Sequence, residues 1–264
     1  MTQAKENGVD DVERLERVDV QLLEPHVRCV GACLSPSTGI IDSHHFMQAL
    51  HADAEAAGAT FAFGSRVVAG DVSQPVKALK VEDAEGVETT ILAHNVVNAA
   101  GLYAWDVAAS LSGYSSQYLP KKYFARGCYF AMKGRAPFTR LIYPVPEPGG
   151  LGIHLTLDLQ GKAKFGPDVE WIDVIDFTID PSRAQDFYQA IRTYYPELPD
   201  DSLMPDYAGI RPKNSGPGEP AADFLIQTHQ SHVILGLIHL FGIESPGLTA
   251  SLAIGDYIAE FLDS

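Results

Sequence analysis

The sequence predicts a mixed protein, α+β or α/β, in which an antiparallel sheet is inserted into an α/β unit. Three observations carry this. An apolar run at residues 95–99 has the look of a strand buried on both faces, and Gly101 breaks it before a helical segment. The middle of the chain carries four β-prone runs separated by Gly and Pro turns. The C-terminus alternates strand and helix again.

In order, residues 9–17 read as a short charged helix and 27–34 as a strand. Asp42 is a helix N-cap, Phe46, Leu50 and Ala54 share one helical face, and Gly58 ends that helix. Short strands are expected at 60–63, 66–69, 76–81 and 89–92, then the apolar strand at 95–99 and a helix at 103–111. The antiparallel set covers 121–132, 140–144, 152–157 and 162–165. Asp180 caps a helix at 181–194 that has Pro181 at its first position. Pro196, Pro199 and Pro205 enforce an irregular path. Strands at 224–227 and 233–240 precede a final helix at 246–262, with Ser245 as N-cap and Pro246 leading it.

Composition narrows the function. The 264 residues carry 34 acidic against 19 basic side chains, a net charge of −15, which disfavours nucleic acid as a partner. It leaves room for a small anionic ligand, since backbone amides and helix N-termini bind phosphates without Lys or Arg. Three cysteines, Cys29, Cys33 and Cys128, are too few and too odd for a disulfide scaffold. They read as small buried thiols in a reducing compartment, the cytoplasm. No His or Cys spacing marks a metal site. The longest apolar stretch, 233–243, is too short to span a bilayer, so membrane contact is at most peripheral.

Five segments can carry chemistry. In FGIESPGLTASLAIGDYIAEFL, the capped terminus at Ser245–Pro246 presents unpaired N–H groups, and Gly247 permits close approach to the backbone. VVNAAGLYAWDVA is a strand, a small-residue turn and a helix, suited to a dinucleotide. In YAGIRPK, Arg211 sits rigidly before Pro212, suited to a bidentate carboxylate contact. In LGIHLT, His154 alternates with Ile153 and Leu155 along a strand and is placed to take a proton. In KKYFARGCYF, Lys121, Lys122 and Arg126 form a basic patch that attracts an acidic substrate.

VVNAAGL, LGIHLTLDLQGKAKFGPD, YAGIRPK and GIESPGLTASLAIGDYIAE occur together in the order and spacing of a known group. The chain resembles the FAD-dependent D-amino-acid-oxidase-like superfamily, and within it the L-2-hydroxyglutarate dehydrogenase/oxidase family, over nearly its whole length. The resemblance implies a glutathione-reductase-type FAD domain interleaved with an antiparallel-sheet substrate domain. The expected division is 1–40 and 118–223 to the substrate domain, 41–117 and 224–264 to the FAD domain. The family's Gly-rich dinucleotide fingerprint has no counterpart here. The sequence therefore reads as the C-terminal part of such an enzyme, lacking the N-terminal dinucleotide-binding segment or receiving it from a partner subunit.

The resemblance further implies oxidation of a 2-hydroxy acid to a 2-oxo acid, with hydride passing to flavin N5 and electrons leaving to oxygen, a quinone or a protein. Arg211 would hold the C1 carboxylate and His154 would be the base. Arg126, Lys121 or Lys122 would meet a second carboxylate, with hydrogen bonds from Tyr143 and Tyr207. Ile243, Glu244, Ser245, Pro246, Gly247, Leu248 and Thr249 would line the flavin ring, Val67 the adenosine, and Ala99, Ala100 and Gly101 the diphosphate or ribose. The alternatives are an amino-acid or amine oxidase of the same superfamily and a non-catalytic remnant or subunit.

Overall fold

A computed structural model describes residues 1–145 and 152–262. Leu151 of the LGIHLT segment lies outside the described residues. The chain divides into two compact units, each built from separate stretches. The first comprises Met1–Ala59, Gly127–Val169 and Phe177–Gly209, and the second Thr60–Arg126, Glu170–Asp176 and Ile210–Ser264. These limits differ from the expected ones. Residues 41–59 belong to the first unit, and the boundaries at 126/127 and 209/210 fall inside the strands Tyr123–Met132 and Leu203–Lys213. Gly and Pro punctuation marks loops, and it cannot mark a division that runs through a strand.

In the first unit, the end of the Tyr123–Met132 strand pairs antiparallel with Ala163–Phe165, which pairs with Leu155–Leu157. Phe130 and Phe165 are fully buried beneath the helix Ala184–Ile191, whose Phe187 ring lies 4.6 Å from that of Phe130. Tyr194, Tyr195 and Leu198 complete this core. The expected strand at 140–144 is a single bridge between Ile142 and Leu155. Residues 9–17 are not a helix: Glu13–Glu16 is a strand paired with Gly31–Leu34. The helix starts at Arg17, where Glu16 and Asp19 form a reciprocal cap. The Asp42 cap is present, with Oδ1 accepting from His45 N at 3.0 Å, and this bond holds its carboxyl below the usual range. The helix it starts, Ser43–Ala56, buries none of its residues fully, and Leu50 is exposed.

In the second unit, Arg66–Asp71, Lys77–Glu82 and Glu88–Ala93 form an antiparallel meander, and Leu111–Ser112 joins Arg66–Asp71 in parallel. No strand forms at 60–63, where Phe61 and Phe63 stack on each other. A second sheet has Leu237–Phe241 at its centre, parallel to Val96–Asn98 and antiparallel to Leu225–Gln227. Every residue of Leu237–Phe241 is buried. Leu237 and Phe241 pack with Ala104, Trp105 and Ala108 of the helix Ala104–Ala109, while Ile238 and Leu240 pack with Ile258 of the helix Ser251–Ala259. Alternation along one strand thus feeds two helices. The strand starts later than expected because a short helix, His229–His232, and a left-handed Val233 precede it.

The last helix also starts late. Residues 245–250 form successive turns, and the regular helix runs Ser251–Ala259 with Ala250 as N-cap, so Ser245 does not cap it. Local bonds account for this. Gly247 N–H donates to the Glu244 carbonyl, and the Thr249 and Ser251 hydroxyls donate to the carbonyls of Pro246 and Leu248. Side chains that bond carbonyls three residues back favour tight turns over regular helix. Among the described residues, no helix is long and apolar enough to cross a membrane. Of the three thiols only Cys128 is buried, and Cys33 is exposed on its two-stranded ribbon.

Candidate functional site

The second unit carries most of the residues assigned to the cofactor. Val67 and Ala100 line one cleft of about 810 Å³, together with Arg66, Tyr103 and Asp106. Ala99 and Ala100 are exposed at the end of the Val96–Asn98 strand, and Gly101 follows with φ +56°, where a Cβ is disfavoured. The turn Ile243–Thr249 follows the buried Leu237–Phe241 strand through Gly242, at φ +67°. A Cβ on Gly242 would collide with the Asn214 side chain, which donates to the carbonyls of Asp223 and Phe241. Glycine is therefore required to bring this turn off the strand. Among the described residues, the N–H groups of Leu248 and Thr249 have no backbone acceptor. Two free amides beside Gly247, and a cleft reaching Ala100, fit the two ends of a dinucleotide.

Arg211 stands half-buried on the Leu203–Lys213 strand of the same unit. Among the described residues no hydrogen bond or ion pair reaches its guanidinium. In a chain with 34 acidic side chains this is a notable exception, because Arg is usually paired when it leaves water. Two residues on, Lys213 Nζ is ion-paired to Glu244 Oε1, and both side chains are largely buried. This pair pins the YAGIRPK strand to the Ile243–Thr249 turn. The sequence reading gave Glu244 only a backbone role and passed over Lys213.

Each residue of the basic patch has an acidic neighbour. Arg126 donates from Nε and Nη2 to Glu170 Oε2 and from Nη1 to Asp176 Oδ2. Its side chain is about a tenth exposed. Lys121 pairs with Glu219, and Lys122 makes two bonds to Asp106. Each of the three is thus ion-paired in the structure.

In the first unit, His154 lies just before the strand Leu155–Leu157, and its carbonyl accepts from Gly166 N at 2.9 Å. The Tyr143 ring stands edge-on to the imidazole, centroids 4.3 Å apart. Tyr143 also lines a cleft of about 520 Å³ with Ile40, Asp42, Thr156 and Lys164. Tyr207 stacks on Tyr129 at 4.4 Å, with the Lys164 ammonium 5.1 Å over its ring. Burial pushes the Tyr207 phenol above its ordinary value. Tyr207 is thereby held as part of an aromatic–cation stack.

The sequence reading also missed Asn98 and His239, which lie buried against one another beneath the Ala99–Gly101 turn. The only signal available was the Asn of the NAAG segment and a His inside an apolar strand.

A family comparison settles the class. Residues 1–261 match the DAO family, FAD dependent oxidoreductase, and the chain belongs to that family, so FAD is its cofactor. Among curated relatives, it is 42% identical to the mitochondrial L-2-hydroxyglutarate dehydrogenase of Arabidopsis thaliana, over 96% of this chain and 60% of that protein. It is 27% identical to the glycerol 3-phosphate dehydrogenase of Caloramator mitchellensis, over 98% of this chain and 52% of that one. The chain thus spans a little over half the length of these relatives. Among solved structures, it superposes on dithionite-reduced L-alpha-glycerophosphate oxidase from Mycoplasma pneumoniae with FAD bound. There the TM-score is 0.83 at 20% identity, covering 100% of this chain and 68% of the other. Glycine oxidase from Geobacillus kaustophilus gives a TM-score of 0.77 at 19% identity, covering 99% and 65%. These likenesses establish the fold.

Proposed function

We propose that this chain carries the substrate-oxidising part of an FAD-dependent 2-hydroxy-acid dehydrogenase or oxidase acting on an L-2-hydroxyglutarate-like acid. The observation that carries the reading is Arg211, a half-buried guanidinium with no protein acceptor among the described residues, in a protein rich in carboxylates. A substrate carboxylate satisfies it with two parallel hydrogen bonds. Identity of 42% with an L-2-hydroxyglutarate dehydrogenase supports the substrate class.

Bound FAD supplies a hydride acceptor at N5. Arg211 then fixes the C1 carboxylate, so that the neighbouring C2 hydrogen has one orientation. His154 takes the C2 hydroxyl proton on an imidazole nitrogen, with its ring held by the edge of Tyr143. Tyr143 and Tyr207 supply hydrogen bonds to the substrate. The amides of Leu248 and Thr249 would receive the negative charge that reduction places on the flavin, Val67 would lie at the adenosine, and Ala99, Ala100 and Gly101 at the diphosphate or ribose. The electrons would pass on to oxygen, a quinone or a protein acceptor. Arg126 would meet a second carboxylate only by giving up its bond to Glu170 or Asp176.

The test is anaerobic reduction. The chain is co-expressed with the part of its Arabidopsis relative that lies outside the matched region, loaded with FAD, and mixed separately with L-2-hydroxyglutarate, glycerol 3-phosphate and glycine. Bleaching of the flavin by L-2-hydroxyglutarate alone is the expected result. Bleaching by glycine would replace the reading with an amino-acid oxidase, and no bleaching by any of the three would remove it.

A further inference from the structure

The strand Val96–Asn98 and the central strand Leu237–Phe241 run parallel, with His239 opposite Asn98 in register. Both side chains are buried, Asn98 to 4% exposure and His239 to zero. A buried polar pair must be hydrogen-bonded to be tolerated, and the geometry shows how. Asn98 Nδ2 donates to the Ala104 carbonyl at 2.7 Å and meets His239 Nδ1 at 2.9 Å. Asn98 Oδ1 accepts from Ala100 N at 3.3 Å. The amide cannot be turned over. Doing so would set its oxygen against the Ala104 carbonyl and its NH₂ against the Ala100 N–H, and neither backbone group can change its polarity.

This orientation fixes the histidine. Since Asn98 presents a donor, His239 Nδ1 must accept, and the ring is neutral with its proton on Nε2. Nε2 is itself buried and has no partner among the described residues. A second proton would place Nδ1–H against the Asn98 NH₂. Nothing packed against the ring offers relief. Tyr114 lies 4.6 Å away with its hydroxyl donated to Gln227, and Phe241 stacks at 5.4 Å. The other titratable neighbour is His232, at 5.9 Å, whose buried Nδ1 already accepts from Ile234 N. No carboxylate acts on His239 among the described residues.

We propose that Asn98 and His239 are positioning residues for the Ala99–Gly101 turn, a clasp that holds the turn only while His239 is neutral. Among the described residues, Asn98 is the one side chain that grips both the turn, at Ala100 N–H, and the helix after it, at the Ala104 carbonyl. His239 Nδ1 accepts the second Asn98 N–H, so the seated amide leaves no buried donor unpaired. The consequence for cofactor binding rests on the reading of that turn as part of the FAD site. Protonation of His239 sets Nδ1–H against the Asn98 NH₂, which the backbone keeps from turning over, so the Asn98 side chain is driven off its seat and the Ala100 N–H loses its acceptor. Burial holds the His239 pKa down to about 4, so the clasp is closed at neutral pH.

The variants separate this role from plain packing. In His239→Asn, the side-chain carbonyl occupies the place of Nδ1 and accepts from Asn98, but the group does not titrate. His239→Leu keeps bulk and removes the acceptor. NMR on the chain without cofactor should show His239 as the Nε2–H tautomer at neutral pH. Hydrogen exchange should show Ala100 N–H protection in His239→Asn equal to that of the unaltered chain at pH 7, and lowered about tenfold in His239→Leu. On acidification to pH 4, Ala100 protection should fall about tenfold relative to the Leu237–Phe241 amides in the unaltered chain, and stay level with them in His239→Asn. A proton on Nδ1 at pH 7, or an acid step that survives in His239→Asn, overturns the proposal. If His239→Leu does not fold, the tautomer and the His239→Asn comparison still decide it. A parallel FAD fluorescence titration at pH 7, with each form co-expressed with a Gly-rich strand–helix–strand segment, tests the cofactor reading. Tight binding in both the unaltered chain and His239→Asn, weakened about tenfold in His239→Leu, supports both readings. Binding indifferent to a lost Ala100 protection overturns the assignment of the turn to FAD.

Discussion

Arg126 and Glu170 face each other across paired strands, with Arg126 Nε and Nη2 at 3.3 and 2.9 Å from one carboxylate oxygen, Oε2. Asp176 takes Nη1, so the largely buried Arg126 is the centre of an ion triad whose carboxylates reach the surface. Removing it leaves both carboxylates without their shared cation. Arg126→Ala should lower stability by about 1–3 kcal/mol, read as a shift in the urea midpoint. An unchanged midpoint would make the triad decorative.

Arg211 should behave in the opposite way. With no protein acceptor among the described residues, its guanidinium contributes little to the fold. Arg211→Lys should leave the urea midpoint within about 0.5 kcal/mol of the unaltered chain. In the FAD-loaded enzyme the same change should weaken 2-hydroxy-acid binding or turnover by about 1–3 kcal/mol, since Lys keeps the charge and loses the fork. Equal kinetics in the variant would take Arg211 out of the site.

The contrast between these two arginines shows what a sequence makes legible. Features set within a few residues were readable: the Asp42 cap, the Asp180 cap and the meander of residues 66–93. The ion triad of Arg126 was not legible because its partners lie 44 and 50 residues away, and no local pattern points to them. The strand Leu203–Lys213 was hidden by Pro205 and Pro212, which usually argue against a long strand. The class of chemistry came from longer motifs, VVNAAGL and GIESPGLT, whose spacing no periodicity would supply. Asn98 lay within one of them, but its role depends on His239, 141 positions later.

Burial gives His239 a pH signature. Its pKa falls from 6.5 to about 4 in the folded chain, chiefly because the charged ring would be taken out of water. Between these values the unfolded chain binds the extra proton and the folded chain does not. Stability from this group is therefore fully present above about pH 6.5 and is lost as pH falls toward 4, in total on the order of 3 kcal/mol. His232 is shifted in the same direction by burial. Urea midpoints at pH 7, 5.5 and 4.5 should fall less steeply in His239→Asn than in the unaltered chain. Parallel curves would assign the acid lability to other groups.

His154 is predicted to act on turnover rather than cofactor content. In the FAD-loaded enzyme, His154→Ala should lower turnover with a 2-hydroxy acid by about 10²–10⁴-fold, with the flavin-to-protein ratio unchanged. The pH–rate profile should also lose its acidic limb. A variant that keeps that limb places the base elsewhere, and loss of flavin would mean that the histidine acts through the fold.

The final prediction concerns FAD binding by these 264 residues alone, which should be weak. No G-x-G-x-x-G run occurs in the sequence, and the two phosphates of FAD are anions that such a turn and its helix N-terminus ordinarily receive. On the proposed reading, the amides at Leu248 and Thr249 and the turn at Ala99–Gly101 would meet only the two ends of the cofactor. A net charge of −15 repels the middle. The same region carries a second liability. Among the described residues, Val96–Asn98 pairs only with Leu237–Phe241, so its other edge presents free backbone groups and favours association between chains. Flavin fluorescence titrated with the purified chain should show no saturation in the submicromolar range, and light scattering should show concentration-dependent association. Co-expression with a Gly-rich strand–helix–strand segment should restore binding and suppress association together. Submicromolar binding by the chain alone, with bleaching by L-2-hydroxyglutarate, would show that these residues build a working site unaided.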